Sequence, residues 1–244
     1  MTTRISIDRG AGIAVWRQIG EWLKGEIASG TFKQGTRLPT ESDIAAQFGV
    51  NRHTVRRAIA ALASEGIVRA DQGRGTYVAA APLSYPIGPR TRFSEIVSGQ
   101  AKAPSGRLIG SRTEAANAFL AAKLDVPVGT LLIRLEALRV ADGIPIIVAT
   151  SWFEQARMPN LVTDYAETGS ITAALTAAGI TDYQRKGNQI TAELVDPQDA
   201  RHLNVPIGQP VLVVESVNID KKGQPVQFTQ ARMAADRIQL IVET

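Results

Sequence analysis

The stretch Leu38–Val78, LPTESDIAAQFGVNRHTVRRAIAALASEGIVRADQGRGTYV, reads as a short helix, a tight turn, a longer basic helix and a hairpin with a glycine-rich tip. Thr40 can N-cap the first helix, and Asp43, three residues on, completes a capping-box pattern. Ile44, Ala45 and Phe48 are spaced to share one face, and Gly49 supplies a left-handed stop. Asn51 caps a second helix whose apolar stripe is Val55, Ala58, Ile59 and Leu62. Arg52, His53, Arg56 and Arg57 are left pointing elsewhere. A buried stripe that fixes the interhelix angle, with a basic face left over, is how a helix-turn-helix enters a DNA major groove. A helical core with an ordinary basic surface is the competing account. The order and spacing of the signals favour DNA binding.

The hairpin adds to this. Ile67–Ala70 and Thr76–Val78 can pair around Asp71-Gln72-Gly73-Arg74-Gly75. Glycines on both sides of Arg74 let backbone and guanidinium approach a phosphate or a narrow minor groove. Arg52, His53, Thr54 and Arg56 are the expected base and near-base contacts. Gly73, Arg74 and Gly75 are expected at the minor groove or backbone, and Ser42, Arg57 and Gln72 complete the DNA-facing set. Arg37, in the loop before the first of the two helices, either touches a phosphate or is simply solvated. Upstream, Trp16, Ile19, Leu23 and Ile27 mark an amphipathic helix ending near Gly30 that packs behind the pair.

Residues from about Val15 to Val78 resemble the winged-helix domain of GntR-family bacterial transcription regulators. The segments that carry the resemblance are WRQIGEWLKGEIASG, then GTRLPTESDIAAQFGVNRHTVRRAIAALASEGIV, then QGRGTYV. Asn51-Arg52-His53 departs from the Ser-Arg more usual in the family. Asn caps as well as Ser, so the difference bears on base preference at His53 and leaves the fold intact.

Charge follows the same division. Residues 1–78 hold 11 Lys+Arg against 7 Asp+Glu, a difference of +4, while 79–244 hold 27 − 11 = 16 against 23 − 7 = 16. The formal excess is confined to the third of the chain that carries the helix-turn-helix. Cysteine is absent, and His53 and His202 are the only imidazoles, with no metal-ligating cluster around either. No signal segment or membrane-length apolar run is present, so a soluble, cytoplasmic protein is expected. No triad, phosphate-cradling loop or cofactor motif argues for an enzyme.

Ala79–Pro89, AAAPLSYPIGP, is proline-rich and aperiodic and reads as a linker between a domain at 1–78 and another at 90–244. The second domain carries an internal repeat. LDVPVGTLLIRLEALRVADGIPIIV, Leu124–Val148, parallels LNVPIGQPVLVVESVNIDKKGQPVQF, Leu203–Phe228. Pro127 answers Pro206, Gly129 answers Gly208, Glu136 answers Glu215, and Pro145 answers Pro225 after a one-residue insertion. Each unit reads as a helix end, a Gly turn, a long strand and a return strand. Two like hairpins imply one antiparallel sheet with approximate two-fold symmetry. Strands at Arg107–Arg112 and Tyr183–Glu193 extend it, and helices near Phe93–Ser98 and Ile171–Ala178 cover one face. The expected class is α+β. This half is similar to the effector-binding (UTRA-type) domain of the HutC branch of GntR regulators, which shares its fold with chorismate lyase. Within that branch it resembles regulators of phosphonate metabolism, through LEALRVADGIPIIVATSWF, YQRKGNQITAELVDPQDARHLNVPIGQPVLVVESVNID and ARMAADRIQL.

Thr91 can N-cap a helix starting at Arg92, setting free N–H groups beside two arginines, an arrangement suited to phosphate or phosphonate. The resemblance implies anion contacts from Arg92, Phe93 and Ser94. Arg134 and Glu136 share a strand face with Leu132 and Leu138, either as an internal salt bridge or as ligand contacts. Tyr183 and Arg185 share a face, as do Gln227 and Thr229, and Ser151 joins the expected effector set. Arg232 and Asp236 are read as a structural pair. The combined expectation is a homodimeric repressor that binds a palindromic operator and responds to a small anionic metabolite. The alternatives are a chorismate-lyase-type enzyme tethered to a DNA anchor and a constitutive DNA-binding regulator.

Overall fold

The computed structural model describes residues 12–71, 75–79 and 82–242. Contacts divide the chain into two compact units, Met1–Ala81 and Pro82–Thr244. In the first, α1 (Val15–Ala28), α2 (Glu41–Phe48) and α3 (Arg52–Ser64) precede a hairpin of β1 (Val68–Asp71) and β2 (Gly75–Val78). The capping box forms as its residues dictate. The Asp43 N–H donates to Thr40 Oγ1 at 3.2 Å and the Thr40 N–H donates back to Asp43 Oδ2 at 3.1 Å. Gly49 ends α2 in the left-handed region at φ 62°, and Asn51 Oδ1 accepts from the His53 N–H to start α3. Ile19, Leu23, Ile44, Phe48, Val55 and Leu62 close the core between the three helices, and Trp22 sets its edge on Phe48.

The second unit contains β3 (Leu83–Pro86), α4 (Phe93–Gly99), β4 (Pro104–Ala115), α5 (Ala118–Leu124), β5 (Leu131–Ala141) and β6 (Ile144–Glu154). After a 3-10 turn come α6 (Leu161–Thr168), α7 (Ile171–Ala177), β7 (Tyr183–Leu194), α8 (Pro197–Leu203), β8 (Pro210–Asp220), β9 (Pro225–Ala234) and β10 (Ile238–Ile241). Six strands form one antiparallel sheet in the order β4-β5-β6-β9-β8-β7, which reads the same strand–helix–hairpin unit inward from both edges. The repeat is therefore structural. Its helix ends are left-handed at Asp125 (φ 53°) and Asn204 (φ 55°), and its turns use Gly129 (φ 91°) and Gly208 (φ 81°). Each edge strand carries a register shift, Leu108/Gly110 in β4 and Arg185/Gly187 in β7, of the kind that blunts an open edge.

One expectation is corrected. The segment read as a linker contains β3, which pairs in parallel with β10. Pro86 ends that short strand, where a missing N–H costs nothing. The helices expected near Phe93–Ser98 and Ile171–Ala178 form and share one sheet face, and further helices cover the other. One carries α4, α6 and α7 around Val97, Ile147, Phe153, Leu175 and Met233. The other carries α5 and α8 over Leu132, Val148, Val213 and Phe228. Both of the latter helices are seven residues long and end at Leu124 and Leu203, where each repeat unit reads as a helix end.

Candidate DNA-reading surface and effector pocket

On α3 the apolar stripe points inward and Arg52, His53, Arg56 and Arg57 are exposed, with Thr54 half-buried among them. The basic face is ordered by neighbours. Arg56 donates from Nε to Glu41 Oε1 at 3.0 Å and from Nη2 to Oε2 at 2.8 Å, and Arg52 Nη2 lies 3.8 Å from the same carboxylate. The Arg56 guanidinium holds the Glu41 carboxyl below its ordinary range. Arg57 lies over the Trp16 ring at 4.8 Å, tying α3 to α1. Ser42 is exposed on the first turn of α2. Arg37 runs beside the hairpin, where a Cβ on Gly75 would meet its Nε at 2.5 Å, and Gly75 itself has φ +111°. The positive φ favours glycine at that position, whereas the flexible end of Arg37 could shift to make room for a Cβ. Gln72, Gly73 and Arg74 lie outside the described residues.

In the second unit, a narrow cavity of about 60 Å³ opens on the sheet face covered by α4 and α7. Arg92, Arg139 and Arg185 line it together with Phe93, Tyr183 and Thr229, and no carboxylate does. The Arg92 guanidinium sits 4.3 Å over the Tyr183 ring, and Arg139 lies 5.3 Å over Phe93. Arg92 also reaches the exposed Glu95 at 3.5 Å. Arg185 Nε is buried without a hydrogen-bond partner. Burial pushes its guanidinium pKa down and Arg139 adds to the effect, whereas Tyr85 and Tyr183 oppose it. The floor is a buried polar ladder. Asn218 Nδ2 donates to Gln227 Oε1 at 2.7 Å, and Gln227 Nε2 donates to Thr229 Oγ1 at 2.7 Å and to Ser151 Oγ at 3.0 Å. The arrangement gathers three guanidinium groups, of which Arg92 is paired with the exposed Glu95, around a cavity with no carboxylate in its lining, a setting that an oxyanion would satisfy.

Residues 16–78 match the bacterial regulatory proteins of the gntR family, and residues 99–239 match the UTRA domain. An uncharacterized HTH-type transcriptional regulator of Rhizobium meliloti is 40% identical over 98% of this chain and 98% of its own. The chain is a GntR-family regulator with a UTRA domain. The probable transcriptional regulator PhnF of Escherichia coli is 28% identical over 93% of this chain and 94% of its own. The crystal structure of PhnF from Mycobacterium smegmatis superposes with a TM-score of 0.64 at 25% identity, covering 94% of this chain and 98% of that one. No helix among the described residues is long and apolar enough to cross a membrane.

In this GntR-family regulator the pocket gathers Thr91, Arg92, Phe93, Ser94, Tyr183 and Arg185, whereas Ser151 is outside the lining and reaches it through its hydrogen bond from Gln227. Thr91 does not cap α4. Its hydroxyl instead accepts from the Gly88 N–H at 2.7 Å and donates to the Gly88 carbonyl at 2.8 Å, closing the preceding turn, and Arg92 occupies the N-cap. Arg134 and Glu136 lie on the opposite sheet face and line no part of this cavity. There Glu136 accepts from Arg232 Nη2 at 3.2 Å and stands 3.4 Å from Arg134 Nη1. Arg232 pairs with Asp199 of α8 at 2.6 Å, whereas Asp236 lies beside Arg237 at 3.7 Å. Arg139 was legible as an arginine in register with Leu135 and Ala137 on the strand's apolar face. Asn218 carries no comparable sequence signal, because only sheet register brings it to Gln227.

Proposed function

We propose that this regulator is a homodimeric repressor whose grip on a palindromic operator is released by a small anion of the phosphate or phosphonate kind. One recognition helix per chain serves each half-site, with half-sites about 10 bp or a multiple apart. The base and near-base contacts are Arg52, His53, Thr54 and Arg56, with Arg37, Ser42 and Arg57 beside them and the wing residues Gln72, Gly73, Arg74 and Gly75 at the backbone or minor groove. The effector contacts are Arg92, Phe93, Ser94, Tyr183 and Arg185. The observation that carries the reading is the meeting of three guanidinium groups in one cavity whose lining contains no carboxylate. Further support comes from relatives: the probable fructoselysine utilization operon transcriptional repressor of Escherichia coli and the transcriptional repressor NagR of Bacillus subtilis are 26% and 25% identical over nearly the whole chain. Anion binding stabilises one conformation of the UTRA domain, and the linked winged helices then no longer match the operator spacing.

The test is thermal-shift titration with inorganic phosphate, alkyl phosphonates, sugar phosphates and urocanate. A ligand at about 100 times its Kd adds about 2.7 kcal/mol to stability and must raise Tm. Arg185→Met is expected to abolish the rise. A flat response to every anion, or an unchanged response in Arg185→Met, rejects this effector site.

A further inference from the structure

Glu41 is an acidic side chain on the DNA-facing side of the first unit, a position where carboxylates are repelled by phosphate. It is not there chiefly for stability. Its pair with Arg56 is half-exposed, with side-chain exposures of 57% for Arg56 and 24% for Glu41, and such surface pairs contribute little to folding. Its geometry is nonetheless specific. The carboxylate accepts from Nε at 3.0 and 3.2 Å and from Nη2 at 2.8 Å, so the side edge of the guanidinium is fully occupied. The end edge remains, with both hydrogens of Nη1 and the second hydrogen of Nη2 free to donate outward. That is a fixed two-pronged donor matching O6 and N7 of guanine. Arg52 supplies a second positive charge 3.8 Å from the carboxylate, so the three-residue group keeps a net charge of +1 toward DNA.

We propose that Glu41 is a positioning residue for sequence reading: it aims the end edge of Arg56 at one G·C base pair and keeps that guanidinium from settling on a phosphate. The proposal rests on the α3 face reading bases. It carries a signature opposite to that of a helix-stabilising acid. Loss of Glu41 lowers affinity for the preferred sequence, while affinity for unrelated DNA holds or rises because an aimed cation becomes a loose one.

The test begins with the full-length protein enriching duplexes from a randomised pool, followed by affinity measurements on the winning duplex and a scrambled one over a range of salt. Glu41→Ala keeps a good helix former at the start of α2, and Arg56→Lys keeps the charge without the fork. Each is expected to relax the preference at the same single G·C pair and to weaken the selected duplex about 5- to 150-fold, the range of one bidentate base contact. Binding of Glu41→Ala to the scrambled duplex should not weaken, and its circular dichroism melt should match wild type. Equal losses on both duplexes, or a retained preference in Glu41→Ala, overturns the proposal. Relaxation in Glu41→Ala with none in Arg56→Lys means that Glu41 reads the base itself, which also overturns it. Failure of the wild-type protein to enrich any sequence removes base reading by α3, and the proposal falls with it.

Discussion

Asp43 shows how much one side chain can fix by itself. Two hydrogen bonds from Thr40 hold its carboxyl below the ordinary range. Because the unfolded chain then binds the proton more readily, the capping box stabilises the fold above the ordinary carboxylate pKa. That contribution is lost as pH falls through the lowered folded value. Asp43→Asn should therefore lower Tm at neutral pH and flatten its decline between about pH 5 and pH 3, as a calorimetric series on both proteins would record. Such a residue is legible in sequence because donor and acceptor lie three positions apart. Gly106 is the opposite case. A Cβ there would overlap the Gly169 carbonyl and stand 2.8 Å from the Tyr165 hydroxyl, a clash between segments about sixty residues apart. Gly106→Ala is expected to cost about 1–3 kcal/mol by overpacking. Since Ser170 and Thr172, just beyond Gly169, line the pocket, it should also blunt the anion-induced rise in Tm. A full response in a destabilised Gly106→Ala protein would separate the seat of α7 from the pocket.

Elements defined by local signals emerge from sequence, and those defined by what covers them do not. The helix-turn-helix and the duplicated hairpins are announced by caps, glycines and alternation. Nothing in the sequence announces that α8 is pinned to the sheet by a buried ion network. Arg232 joins Asp199 of α8 to Glu136 of β5 and donates to Thr150 Oγ1 of β6 at 2.9 Å. Burial pushes the Asp199 carboxyl pKa up, and Arg232 opposes that shift. Arg232→Met would strand the Asp199 carboxylate, while Glu136 keeps Arg134 at 3.4 Å, and breaking such a buried pair costs about 3–5 kcal/mol. The same substitution lies on the face away from the three arginines, so a urea titration should show the loss while the anion response survives. Equal loss of both would mean that the two faces act as one element.

At the scale of the whole chain the charge partition and the two compact units pose a thermodynamic question. The +4 excess sits in residues 1–78, and the proposed anion pocket belongs to Pro82–Thr244. An anion bound in the second unit can weaken operator binding only by favouring one conformation over another, and the coupling must be reciprocal. If a saturating anion weakens operator affinity tenfold, a saturating operator must weaken anion affinity tenfold. The expectation is that calorimetric titration of the free protein and of the operator complex, at one fixed salt concentration because DNA affinity depends steeply on salt, gives anion Kd values that differ by the factor seen in DNA binding. Simple ion competition at the DNA surface would also weaken operator binding, but that effect would persist in Arg185→Met, whereas linkage through the pocket would vanish with it.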